Sequence, residues 1–170
     1  MHKIRERGQS LVELVIVIAV VAIVVGGLVF ATIASIRNAT LAKNQAQATK
    51  YAQEALERVR TARDRRDTGT ISGLTLGGGS VTDWQDADLW ANSISASSCN
   101  PCYFKLTSPL GVLQGTTLLS PETVGQFSRL VILSDGANSA VEKIVTVTVS
   151  WTDFLQKTHE SKLVTILRKL

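Results

Sequence analysis

At 170 residues, with 45% hydrophobic and 5% aromatic side chains, the chain has room for one modest globular domain of roughly 100 residues beside its apolar segment. The formal charge of +4 falls to +2 once residues 1–8, with Lys3, Arg5, Arg7 and Glu6, are set aside, too little for bulk attraction to nucleic acid. Two cysteines and two histidines, one of them His2, leave a zinc site short of ligands.

The first element carries most of the apolar material. Arg5-Glu6-Arg7-Gly8-Gln9-Ser10-Leu11-Val12-Glu13 leads into a run without charge from Leu14 to Ile36. As a helix that run reaches roughly 34 Å, against a bilayer core of about 30 Å. Glu13 sits just inside it, where burying a carboxylate costs about 2.5–3.5 kcal/mol at mid-membrane and less near an interface. One opposite charge about 4 Å away contributes about 4 kcal/mol at an effective dielectric of 20, enough to offset that cost. Cleavage after Gly8 would supply such a charge, an α-amine on Gln9, four residues before Glu13 and on the same helical face. The plain alternative is an interfacial carboxylate facing water and headgroups. A secretory signal fits less well, because the apolar run is too long and Thr32-Ile33-Ala34 is a weak cleavage site. An ordinary anchor explains the length but neither Gly8 nor Glu13. Lys3, Arg5 and Arg7 favour a cytoplasmic leader, although Arg37, Lys43 and Lys50 beyond the run blunt the asymmetry.

This combination of basic leader, Gly8, Glu13 and long apolar helix resembles the prepilin signature of type IV pilins and type II secretion pseudopilins. The resemblance implies that prepilin peptidase, a membrane aspartyl protease, cuts between Gly8 and Gln9 and methylates the new amine. It also implies that Glu13 recruits an incoming subunit by pairing with an N-terminal amine. The partners so implied are prepilin peptidase, other pilin or pseudopilin subunits, an inner-membrane assembly platform, and membrane lipid before assembly. Gln9 stands where Phe is usual in the family, and an N-terminal Gln can cyclise and lose its charge instead of being methylated. The mid-helix proline of many major pilins is absent. Gly26-Gly27 replaces it, lowering helix propensity by about 1 kcal/mol per glycine and permitting bending, or else close helix packing.

From Arg37 to about Arg66 there is no Pro or Gly, and the helix is expected to continue to about Asp64. Ala48, Ala52, Ala55, Leu56 and Val59 recur at three- and four-residue spacings, an apolar stripe suited to a sheet. Glu54 and Arg58 form an i,i+4 pair. Arg58, Arg60, Arg63, Arg65 and Arg66, interleaved with Glu57, Asp64 and Asp67, read as a solvated helix end before Thr68-Gly69, where basic residues complement the helix dipole. A filament contact or DNA capture are the sharper readings of that cluster.

Residues 67–101, rich in Thr, Ser, Gly and Asp, read as a connecting loop anchored by Trp84 and Trp90. Asp83, Asp86 and Asp88 lack the glycine and terminal glutamate of an EF-hand and read as solvated loop acids rather than calcium ligands. Cys99-Asn100-Pro101-Cys102 is the one cysteine pair, read as a disulfide in an extracytoplasmic domain. Thioredoxin-like chemistry would use the same spacing, yet no βαβ pattern surrounds it.

The last third reads as sheet. Val145, Val147, Val149 and Trp151 alternate with Thr146, Thr148 and Ser150, so one face is apolar. Phe127 to Leu133 is a second strand joined to it by a hairpin through residues 134–139, Lys162 to Leu167 a third, and Tyr103 to Leu106 an edge. The chain thus divides into a leader (1–8), a transmembrane or filament-core helix (9–36), an amphipathic helix (37–66), an αβ-loop (67–101) and a sheet (102–170). The fold class is α+β, a long helix packed on an antiparallel sheet, which resembles a pilin head.

No catalytic constellation emerges. His159, the only histidine beyond the leader, sits in a polar turn without a spaced nucleophile. The expected protein is a non-enzymatic, cofactor-free filament subunit resembling minor pilins, held by one membrane pass with its head outside the cytoplasm. A minor pseudopilin of secretion or DNA uptake is the alternative within the family. A membrane-anchored binding or thiol-redox domain is the alternative outside it.

Overall fold

The computed structural model describes residues 6–97, 102–107, 112–116, 119 and 121–170. The chain forms two units, residues 1–43 and 44–170. One helix, α1 (Glu6–Arg65), contributes to both.

In the first unit α1 is helical through its β-branched run and exposes nearly every side chain from Leu11 to Ile36, Phe30 at 76%. A helix apolar on all sides with nothing covering it is a membrane span or a bundle element. Residues of α1 meet the length and hydropathy of a span. Thr32 and Thr40 donate their hydroxyls to the Leu28 and Ile36 carbonyls at 2.8 and 3.0 Å, so neither needs an outside partner. The helix continues through Gly26 and Gly27, and a Cβ added at either would meet nothing within 4 Å.

In the second unit the same helix becomes one-sided. Ala48, Ala52, Ala55, Leu56, Val59 and Ala62 are buried, and the expected stripe is the face that packs on the sheet. The helix stops through backbone bonds from Arg66 N–H to the Arg63 carbonyl and from Asp67 N–H to the Ala62 carbonyl. That closure puts Arg66 at φ 57°, a left-handed position usually given to glycine.

Residues 67–101 hold more structure than a connecting loop. They contain β1 (Ile71–Ser72), β2 (Leu74–Leu76), β3 (Gly79–Val81), α2 (Ala87–Ala91) and a 3₁₀ turn (Ile94–Ala96). β2 and β3 pair as a hairpin through Gly77 and Gly78, both at positive φ, as a tight hairpin turn requires. Trp84 and Trp90 are buried, and Trp90 Nε1 donates to the Trp84 carbonyl at 2.8 Å.

The main sheet adds β4 (Cys102–Thr107), β5 (Val112–Thr116), β6 (Glu122–Val124), β7 (Phe127–Asp135), β8 (Glu142–Thr152) and β9 (Thr158–Arg168). Its order is β1-β5-β4-β7-β8-β9, with β6 also on β7. The expected meander is β7-β8-β9, antiparallel throughout. The Tyr103–Leu106 segment is not an edge: β4 lies between β5 and β7, with Phe104 and Leu106 buried. Nor is the sheet wholly antiparallel, since β1 runs parallel to β5. Val145, Val147, Val149 and Trp151 face inward as the alternation required. Tyr51, Phe127 and Trp151 join edge to face at 5.4 and 5.9 Å, tying helix to sheet.

Candidate functional site

The N-terminal candidates lie on α1. Gly8 and Gln9 fall within the helix backbone but outside the residues whose side chains are described, and Met1 to Arg5 fall outside the described residues altogether. Glu13 is described: it is exposed, two turns into the helix, and is the only charged residue between Leu11 and Ile36. Its carboxylate therefore lies on an otherwise uncharged cylinder. Burying an unpaired charge in hydrocarbon is costly, and an opposite charge nearby offsets that cost.

Two buried cations of the head are occupied in holding the fold. Lys143 is wholly buried; its Nζ donates to Asp135 Oδ1 at 2.6 Å and to the Asn92 carbonyl at 3.0 Å. Burial by itself would raise the Asp135 carboxyl. Hydrogen bonds from Lys143, Ser93 Oγ and Ile94 N–H, with the Lys143 charge, outweigh burial and hold it below its ordinary value. The assembly pins α2 and the 3₁₀ turn to the β7–β8 hairpin. Arg129, also buried on the inner face, is matched by Glu122 at 2.7 Å.

Asp153 organises the β8–β9 turn. Its Oδ1 accepts from Leu155 N–H at 2.8 Å and Lys157 N–H at 2.9 Å, while Oδ2 lies 2.9 Å from His159 Nε2. The His159 hydrogen bond, followed by the backbone donor of Lys157, lowers the Asp153 pKa. The His159 ring stacks on Trp151 at 5.5 Å, so this histidine is a turn-bracing residue on edge strand β9.

The loop acids act locally. Asp86 Oδ1 accepts from Asp88 N–H and Oδ2 from Thr82 N–H, while Asp83 Oδ1 accepts from Gln85 N–H. These are cap and turn contacts of the kind short acidic side chains make. Among the described residues, no group of three or more His, Cys, Asp or Glu could hold a metal ion. In the basic cluster Arg58 meets Glu54, Arg60 meets Glu57, and Arg63 meets Asp64. Arg63 and Arg66 also border a cavity of about 230 Å³ with Lys169, Trp84 and Trp90. The Cys99–Cys102 pairing lies outside the described residues because Cys99 does; Cys102 is buried at the start of β4, its Sγ 3.1 Å from Ser97 Oγ.

The uncovered apolar stretch of α1, with one carboxylate near its start, has the length and composition of a membrane anchor. The prokaryotic N-terminal methylation motif is matched over residues 3–29, and with it the chain carries the signature of type IV pilins and pseudopilins. The match covers this N-terminal segment alone, and there it supports a type IV pilin-like precursor of the kind that prepilin peptidase processes. No curated protein and no solved structure matches the chain.

Proposed function

We propose that the chain is a minor pilin-like subunit, cut between Gly8 and Gln9, anchored by a single pass with its head outside the cytoplasm, and drawn from the membrane into a thin helical filament or its tip complex. The carrying observation is Glu13, a lone carboxylate on an uncovered apolar helix. Cutting at Gly8 frees the Gln9 amine, which methylation leaves positive and cyclisation would neutralise. In the filament Glu13 pairs with such an amine on a neighbour, and residues 14–36 exchange lipid for the helices of other subunits. An amine at about 4 Å supplies about 4 kcal/mol at an effective dielectric of 20, matching the cost of keeping the carboxylate ionised. Cys99 and Cys102 form a disulfide beside β4 in the oxidising space outside the membrane.

Glu13→Ala is expected to be processed and inserted normally yet to be depleted from filaments, measured by immunoblotting sheared filament and membrane fractions. Incorporation of Glu13→Ala at wild-type levels would overturn the pairing.

A further inference from the structure

The end of α1, the loop tryptophans and the segment after β9 border the cavity of about 230 Å³, which Arg63, Arg66 and Lys169 line together with Trp84, Gln85 and Trp90. The lining is tied down. Trp90 Nε1 donates to the Trp84 carbonyl at 2.8 Å, Gln85 Nε2 to the Arg63 carbonyl at 3.2 Å, and Lys169 N–H to the Val141 carbonyl at 2.9 Å. A pocket whose frame is fixed beforehand loses less freedom when a ligand enters. Its volume lies below the roughly 300–1,000 Å³ of pockets for drug-sized ligands; at about 30 Å³ per water it has room for roughly seven or eight waters, the bulk of one small ring molecule.

The side chains around it carry unmatched positive charge. Arg63 is met by Asp64 at 2.6 Å and also donates to the Arg168 carbonyl at 3.4 Å. Arg66 and Lys169 are exposed, and neither side chain has a partner among the described residues. Two buried indole N–H groups, those of Trp84 and Trp151, lack an acceptor among the described residues, and of the two only Trp84 borders the cavity. Arg66 is also in an unusual conformation for its type. Complementing the helix dipole accounts for Arg63 and Arg65 in the last turn, but not for an arginine at φ 57°, where glycine ends a helix without strain at Cβ. Strain kept at one position points to a demand on its side chain, and this side chain lines the cavity.

We propose that this cavity binds one small organic anion, a carboxylate or phosphate ester no larger than a single sugar ring, with the Arg66 guanidinium and the Lys169 ammonium as its donors. The site lies wholly within the second unit and does not depend on how the N-terminal helix is used. The full chain, in an uncharged polyoxyethylene detergent, is titrated with glucuronate, glucose 6-phosphate and glucose and followed by tryptophan emission, since Trp84 and Trp90 line the cavity and Trp151 does not. The expected result is a saturable change with at least one of the two anions and none with glucose. Saturation by glucuronate alone assigns a carboxylate ligand, by glucose 6-phosphate alone a phosphate ester, and by both an anion of either kind. Arg66→Gly and Lys169→Met should each weaken binding by about tenfold or more, while the urea midpoint of Arg66→Gly does not fall. Absence of saturation with both anions, an equal response to glucose, or binding by Arg66→Gly at wild-type strength overturns the site.

Discussion

The two stretches of α1 show how one helix serves two solvents. Residues 11–36 are apolar on every side and uncovered, whereas residues 44–65 confine their apolar side chains to the stripe from Ala48 to Ala62 and cover it with a sheet. The first stretch has hydrophobicity without a fold to bury it, a pattern suited to lipid or to other helices. The second has only small residues and a few larger ones, and its stability comes from fit against β7, β8 and β9. Hydrophobicity alone does not locate a core; periodicity does.

Phenylalanine provides the sharpest contrast. Phe104 is fully buried and Phe30 is 76% exposed. Phe104→Ala is expected to destabilise the head by about 3–5 kcal/mol, while Phe30→Ala leaves its urea midpoint unchanged. Equal losses from the two would break the distinction between the stretches.

Charge burial gives the next effect. Asp135→Ala strands Lys143 in the core and is expected to cost about 3–5 kcal/mol. Adding Lys143→Met in the same chain should restore most of it, because the uncompensated charge then disappears. Both are read by denaturant unfolding, and a double variant as unstable as the single one would contradict the account.

Acid should act on the head through the same groups. Asp135 and Asp153 have folded pKa values below the ordinary 3.8, so the unfolded chain binds more protons as pH falls through that range. Their stabilisation is complete above the ordinary carboxylate range and is lost as pH drops toward the lowered values. Unfolding midpoints measured across this window should fall with acidity, less steeply in Asp153→Asn. A midpoint that rises on acidification would reverse the sign.

The smallest effect concerns the helix end. Arg66→Gly relieves the left-handed strain and is expected to stabilise the head by up to about 1 kcal/mol, measured by urea unfolding.

Much of this organisation was written locally. The lone Glu13, the helix stripe and the Val145–Trp151 alternation each follow from a periodicity within one element. The same period of two also held a signal that went unread: Lys143 is two residues before Val145, and Arg129 two after Phe127, so both had to face inward. A charged residue in an apolar register is the mark of a buried ion pair. What could not be read was non-local or short. β1 and β6 have too few residues to show alternation, and the position of β4 between β5 and β7 depends on strands distant in sequence. The β8–β9 turn was legible as a turn, but its bracing by Asp153 and His159 joins residues on two different strands. The proposed cut at the Gly8–Gln9 bond would be made by another protein, so its outcome is not encoded in the local fold.

The central claim is that the first stretch is a processed assembly helix, and its N-terminus reports this directly. Mass spectrometry of the membrane-derived chain, with and without prepilin peptidase, should show an enzyme-dependent form beginning at Gln9, its amine methylated. An intact leader retained in the presence of the active enzyme would contradict the account.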